Sequence, residues 1–117
     1  MILKALLKFT IMSEQHYENC IAACEACANI CHTCAEHCKG NSEHETCRTL
    51  CMACTDACRK CAEECRSMSF DAALQAQRCA DACRACAEEC EKHDDEHCRH
   101  CAEACRACEK ACGMIPA

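Results

Sequence analysis

Along this chain the buried-type positions recur at alternating steps of four and three, and cysteine fills nearly all of them. They fall at Cys20, Cys24, Cys27, Cys31, Cys34 and Cys38, then at Cys47, Cys51, Cys54, Cys58, Cys61 and Cys65. A third group is Cys79, Cys83, Cys86 and Cys90, and a fourth is Cys98, Cys101, Cys105, Cys108 and Cys112. A 4-3-4-3 step is the apolar seam of a packed helix, with Glu, Lys, Arg and Ala on the remaining faces. The pattern therefore predicts four helices whose shared interior is sulfur where other proteins place leucine.

Punctuation between the groups sets the expected boundaries. Ser13 is the expected N-cap of the first helix, which runs to about His37–Lys39 and stops at Gly40-Asn41. Ser42-Glu43-His44-Glu45 reads as a capping box for the second, ending near Arg66–Ser67. Ser69 or Asp71 starts the third, which fades near His93. Asp94 or Asp95 caps the fourth, and Gly113 with Pro116 ends it. Connections this short make neighbours antiparallel. The expected fold is all-α: an up-down-up-down four-helix bundle over residues 13–117, with helices of about 24 residues, ~36 Å long. Residues 1–12 form a separate segment. Ile2, Leu3, Leu6 and Leu7 make one stripe with Lys4 and Lys8 off it, so a short amphipathic helix is expected, packed on the bundle or at a subunit contact.

Composition sharpens this picture. Only twelve residues are Leu, Ile or Phe, there is no Val or Trp, and six of those twelve lie in the first eleven positions. So few large apolar residues would ordinarily leave a chain disordered. Alanine and the long charged residues are strong helix formers, and a neutral thiol behaves as a small hydrophobe, so a folded Cys/Ala core is expected. A net charge of −6 with mixed signs, one Tyr and two Phe offer neither a basic stripe nor a stacking platform for nucleic acid. No apolar run is long enough for stable membrane insertion. MILKALLKFTIM has no A-x-A cleavage site and no twin arginine, and an odd number of cysteines leaves one unpaired in any single-chain disulfide scheme. A reducing cytoplasm is the expected compartment.

The chemistry follows from the spacing. Ten C-x-x-x-C pairs account for all the cysteines but Cys98. Residues four apart on a helix share a face, with Cβ atoms roughly 5–6 Å apart, so two sulfurs can lean around one ion. Thiolate-only sites suit Cu(I), Zn(II) or iron–sulfur clusters. Zn(II) takes four thiolates, so about five ions would fit, each site carrying −2 in a narrow core. Monovalent copper shared between bridging sulfurs reaches about one ion per thiolate, on the order of twenty, and cancels the charge. This balance favours Cu(I), while a zinc or cadmium buffer, a disulfide-stapled structural bundle and a redox sensor remain the alternatives. The histidines divide by position. His37, His44, His93, His97 and His100 fall at the end that gathers the first and third connections. The cysteine phase turns His44, His93 and His97 inward beside Cys98, and these are the expected donors at a mouth for metal. His37 and His100 lie off the phase by one, and His16 and His32 are expected on the surface. Met12, Met68 and Met114 gather at the other end, where Met68 continues the seam as a plug or a soft ligand. No E-x-x-H occurs, no glycine-rich phosphate loop is present, and no cysteine stands apart as a nucleophile, so no catalytic activity is expected.

From Ser13 to Gly113 the chain resembles the bacterial copper storage proteins, a family of cysteine-rich four-helix bundles. The resemblance is most specific in CADACRACAEECEKHDDEHCRHCAEACRACEKAC, where K-H-D-x-x-H-C joins the last two helices. It implies a lumen of cysteines binding many Cu(I) ions, a homotetramer, and storage or sequestration in the cytosol. His93 and His97 match the family's motif; His44 rests on the phase alone. Met1–Ile11 departs from the family pattern.

Overall fold

The computed structural model describes residues 2–116; the side chains of Ile2 and of residues 4–11 lie outside that description. The described residues form four helices, α1 (Ile2–Cys38), α2 (Glu45–Ser67), α3 (Ala72–Cys90) and α4 (Glu96–Gly113), with a 3-10 turn at Ser42–His44 before α2. Each helix packs on two neighbours in cyclic order, α1 on α2 and α4, α3 on α2 and α4, which is the up-down-up-down bundle the short connections require.

The first helix departs from expectation. Ser13 caps nothing, because α1 runs unbroken through it from Ile2. Residues 2–12 contain no Gly or Pro, and a single serine costs a helix only a few tenths of a kcal/mol, so propagation outruns the cap signal. Cys20 already meets Cys61 and Cys112 near the ends of α2 and α4. The first turns of α1 thus project past the bundle, and the molecule measures 59 × 22 × 17 Å. Leu3 is 71 % exposed and Met12 52 %. The other members of the expected apolar stripe, Ile2, Leu6 and Leu7, lie outside the described side chains.

The connections carry further corrections. Asn41, not Ser42, supplies the cap before α2: its side chain accepts from the Glu43 N–H at 3.0 Å. Ser42–His44 forms a 3-10 turn that leads into Glu45 at the start of α2, rather than a capping box. Gly40 takes φ +82°, the left-handed value for which glycine was read as the stop of α1. At the other end α2 stops at Met68 with φ 51°, and the Ser69 N–H reaches back to the Glu64 carbonyl at 3.2 Å. This is a Schellman closure with methionine in the glycine position. α3 stops at Cys90, three residues short of His93, and α4 begins after Asp95.

The core is sulfur and methyl groups. All twenty-one cysteines are buried, joined by Ala28, Ala35, Ala62, Ala72, Ala76, Ala80, Ala87 and Ala102. Tyr17, Ile21, Ile30, Leu50 and Ile115 pack only partly against them. Small side chains let four helices approach closely, and that closeness brings the sulfurs of opposite helices into contact. Outside, Arg84 of α3 donates to Glu109 of α4 at 2.8 Å, and Arg106 of α4 holds Glu91 beyond α3 at 2.9 Å. Exposed pairs of this kind contribute about 0–1 kcal/mol each and serve mainly register.

Candidate metal centre

The lumen is a column of thiols. Every cysteine except Cys34 and Cys38 joins one unbroken series of Sγ–Sγ contacts between 3.5 and 4.0 Å. Steps along one helix, such as Cys27–Cys31 at 3.7 Å, alternate with steps across the core, such as Cys31–Cys101 at 3.5 Å. Groups of four sulfurs, each lying within 4.8 Å of the others, repeat up the axis: Cys20, Cys24, Cys61 and Cys112; Cys24, Cys79, Cys108 and Cys112; Cys27, Cys31, Cys54 and Cys105; Cys27, Cys54, Cys58 and Cys83; Cys31, Cys86, Cys101 and Cys105. The groups share members, so a sulfur belongs to two sites at once. With metal–sulfur bonds of about 2.3 Å, a tetrahedral or trigonal site has edges of roughly 3.8–4.0 Å, so the column accepts ions with little movement. All the thiols are free.

Charge decides how such a column can be filled. Burial pushes the Cys38 and Cys98 thiols up, with the charge of Cys47 adding to it. The Cys65 thiol is pushed up to about 12, first by its hydrogen bond with Cys20 and then by burial, against the opposing bond from Cys61. Within the column neighbours move in opposite directions: Cys101 is pulled down by its contact with Cys105, and Cys105 is pushed up by the same contact. Cys108 and Cys112 behave likewise. One thiolate flanked by thiol donors is favourable, while a core of bare thiolates is not, so metal must arrive as protons leave.

One end is built from the two connections that carry histidine. His44, in the 3-10 turn, packs against His93 with ring centroids 4.3 Å apart and planes tilted by 34°, and its ring lies 6.1 Å from that of His97. The three inward histidines of the sequence reading are therefore together. His97 Nδ1 sits 3.3 Å from Cys34 Sγ and 3.6 Å from Cys98 Sγ. Burial acts to lower its pKa, but the hydrogen bond to Cys34 and the charges of Cys34 and Asp95 outweigh it and leave it raised. His93 Nε2 pairs with Glu89 at 3.0 Å. His37, one position off the seam, still reaches the group by stacking on His97 at 5.0 Å. His100 stays exposed and pairs with Glu96 at 3.5 Å, and His32 is exposed while His16 is half-buried. Asp95 was read only as a helix cap. Its carboxylate makes no capping bond and stands between His44 and His97 instead. At the far end Met68 is 63 % exposed and plugs nothing, and Met12 and Met114 also face outward. The left-handed turn at Met68 swings its side chain off the seam, and Tyr17, Ile21 and Ile115 pack against the core there.

The family model described as copper storage protein matches residues 13–117. Apo copper storage protein 3 from Bacillus subtilis is 35 % identical, with a TM-score of 0.79 over 85 % of this chain and 98 % of that one. A structure described as copper loading to a cytosolic copper storage protein from Streptomyces lividans, with five coppers, is 34 % identical, with a TM-score of 0.83 over 88 % and 94 % of the two chains. The same Streptomyces protein loaded with 10 copper equivalents gives 34 % and 0.81 over 86 % and 84 %. No curated protein matches the chain. With a sulfur column inside the same bundle and a family match over nearly the whole length, this chain belongs to the copper storage protein family.

Proposed function

We propose that this protein stores Cu(I), at about one ion per cysteine, through the thiolates of all twenty-one cysteines from Cys20 to Cys112. The observation that carries the reading is the unbroken series of shared sulfur contacts. A sulfur that belongs to two sites bridges two ions, and bridging is what lets the number of ions approach the number of thiolates. Monovalent ions then neutralise the column, whereas about five Zn(II) in four-thiolate sites would leave roughly −2 at each. His44, His93 and His97, with Cys98, take up ions at the mouth and pass them to Cys34 and the column. The family points to storage rather than catalysis; buried, near-equivalent thiols support binding without turnover. Residues 13–117 form the copper-binding domain, and residues 1–12 are an added segment, of which residues 2–12 extend α1. The expected setting is a reducing cytoplasm, where thiols stay free, and the expected assembly is a homotetramer. Among the described residues no helix is long and apolar enough to cross a membrane.

Anaerobic titration of the reduced protein against a Cu(I) chelator tests the proposal. Saturation near twenty Cu(I) per chain is expected. Saturation near five Zn(II) that excess Cu(I) fails to displace would establish the zinc-buffer alternative instead.

A further inference from the structure

His44 is an anomaly in this core. It is 7 % exposed, yet neither Nδ1 nor Nε2 has a hydrogen-bond partner. A buried imidazole left this way costs about 1–3 kcal/mol, so a partner is missing from the account. Its Nε2 faces Asp95 Oδ1 at 3.6 Å, and the other oxygen of the same carboxylate faces His97 Nε2 at 3.5 Å. Both separations exceed the roughly 2.7–3.2 Å of an N–H···O bond. They match the edge of a coordination shell, since bonds of about 2.0–2.2 Å at tetrahedral or trigonal angles place two donors ~3.3–3.7 Å apart. Asp95 also gives up helix capping to stand here: Cys98 and Arg99 N–H groups are taken by its backbone carbonyl, both at 3.1 Å, and its side chain is free of them.

We propose that His44 Nε2, the Asp95 carboxylate and His97 Nε2 form a second metal site, distinct from the thiolate column, for one divalent transition-metal cation of the Zn(II) type. Two imidazoles and a carboxylate are borderline donors that suit divalent ions better than soft Cu(I). Asp95 is nearly half exposed, so water completes the shell and the ion arrives from solvent. The site joins the α1–α2 connection to the start of α4 across the mouth. It also fixes a proton: a neutral imidazole coordinated through Nε2 carries its hydrogen on Nδ1, and Nδ1 of His97 is the atom facing Cys34 and Cys98. An occupied outer site therefore turns His97 from a metal donor toward those thiols into a hydrogen-bond donor to them. Divalent cation and incoming Cu(I) compete for one imidazole.

The test rests on the copper reading only in its preparation. Protein is first filled with Cu(I), so that the thiolates are engaged; failure to fill, seen by copper analysis, would count against the storage function and not against the outer site. Co(II) is then added at micromolar concentration as a spectroscopic probe, and Zn(II) is followed by calorimetry. One equivalent of each is expected to bind, with visible cobalt d–d bands and no near-ultraviolet thiolate-to-cobalt charge transfer. Binding is expected to weaken at least tenfold in Asp95→Ala and in His44→Phe, and to persist in His16→Asn. His44→Phe fills the same buried space without polar atoms, so its thermal unfolding reports whether the mouth remains folded. No uptake, uptake undiminished in Asp95→Ala and His44→Phe, or a thiolate charge-transfer band would each overturn the proposal.

Discussion

At the scale of single residues, what distinguishes one cysteine from another is how many sulfurs it touches. Cys105 lies 3.6–3.8 Å from Cys27, Cys31 and Cys54. Cys105→Ser puts a hydroxyl among sulfurs that hydrogen-bond it poorly, and should destabilise the copper-free protein by about 1–3 kcal/mol in denaturant unfolding. The more apolar Cys105→Ala should cost less. Cys34 and Cys38 are set apart in another way. Neither belongs to the series of sulfur contacts that runs up the column, but Cys34 contacts His97 and borders a groove of about 300 Å³ with Asn29, Ile30, Thr33 and His100. Stopped-flow loading from a chelated Cu(I) donor should slow several-fold in Cys34→Ser and change little in Cys38→Ser; equal rates in the two variants would remove Cys34 from the path. Phase along a helix was enough to place His44, His93 and His97. It missed His37, whose ring is long enough to reach the group from one position off the seam, and Asp95, whose local signature is that of an ordinary helix cap.

At the scale of the elements, the two ends of the bundle invite opposite substitutions. Met68 holds a left-handed conformation that L side chains resist, so Met68→Gly should stabilise the protein by about 0.5–1 kcal/mol, read as a rise in thermal midpoint. Gly40 holds φ +82° in open space, with nothing within 4 Å of an added Cβ, so Gly40→Ala should cost about 1–2 kcal/mol from backbone strain alone. Boundaries were legible where residue chemistry is unambiguous: Gly40-Asn41, Ser67 and Gly113 mark helix ends as read. The start of α1 was not, because Ser13 is acceptable inside a helix once a strong helix-forming run precedes it. Removing residues 2–12 should lower far-ultraviolet helicity in proportion to the turns lost and leave the Cu(I) capacity unchanged. A fall in capacity would assign the projecting turns a part in metal binding.

At the scale of the whole molecule, a charged exterior surrounds a core in which neighbouring thiols cannot all ionise together without metal. Cys38, Cys65 and Cys98 have raised pKa values in the folded protein, so they stay protonated where the unfolded chain has begun to lose protons. Below the ordinary thiol value of 9.0 both states are protonated and the stabilisation is complete. Between there and about 12, the value for Cys65, the unfolded chain ionises first and stability drains away. Thermal unfolding of the copper-free protein should therefore weaken steadily from pH 9 upward, while the Cu(I)-loaded protein, whose thiolates are already paired with metal, should change far less over the same range. Parallel losses in the two forms would show that something other than thiol ionisation governs alkaline unfolding.

Helix number, the inward face of each helix and the sulfur character of the core were determined by the sequence alone, because a 4-3 spacing is a local property that any straight helix converts into a stripe. Only the tertiary structure decided which sulfurs meet across the axis, that α1 continues past Ser13, and that Asp95 turns from its helix toward two imidazoles. Those outcomes depend on how close four helices approach and on how far particular side chains reach between them, and neither quantity is encoded in the spacing along one helix.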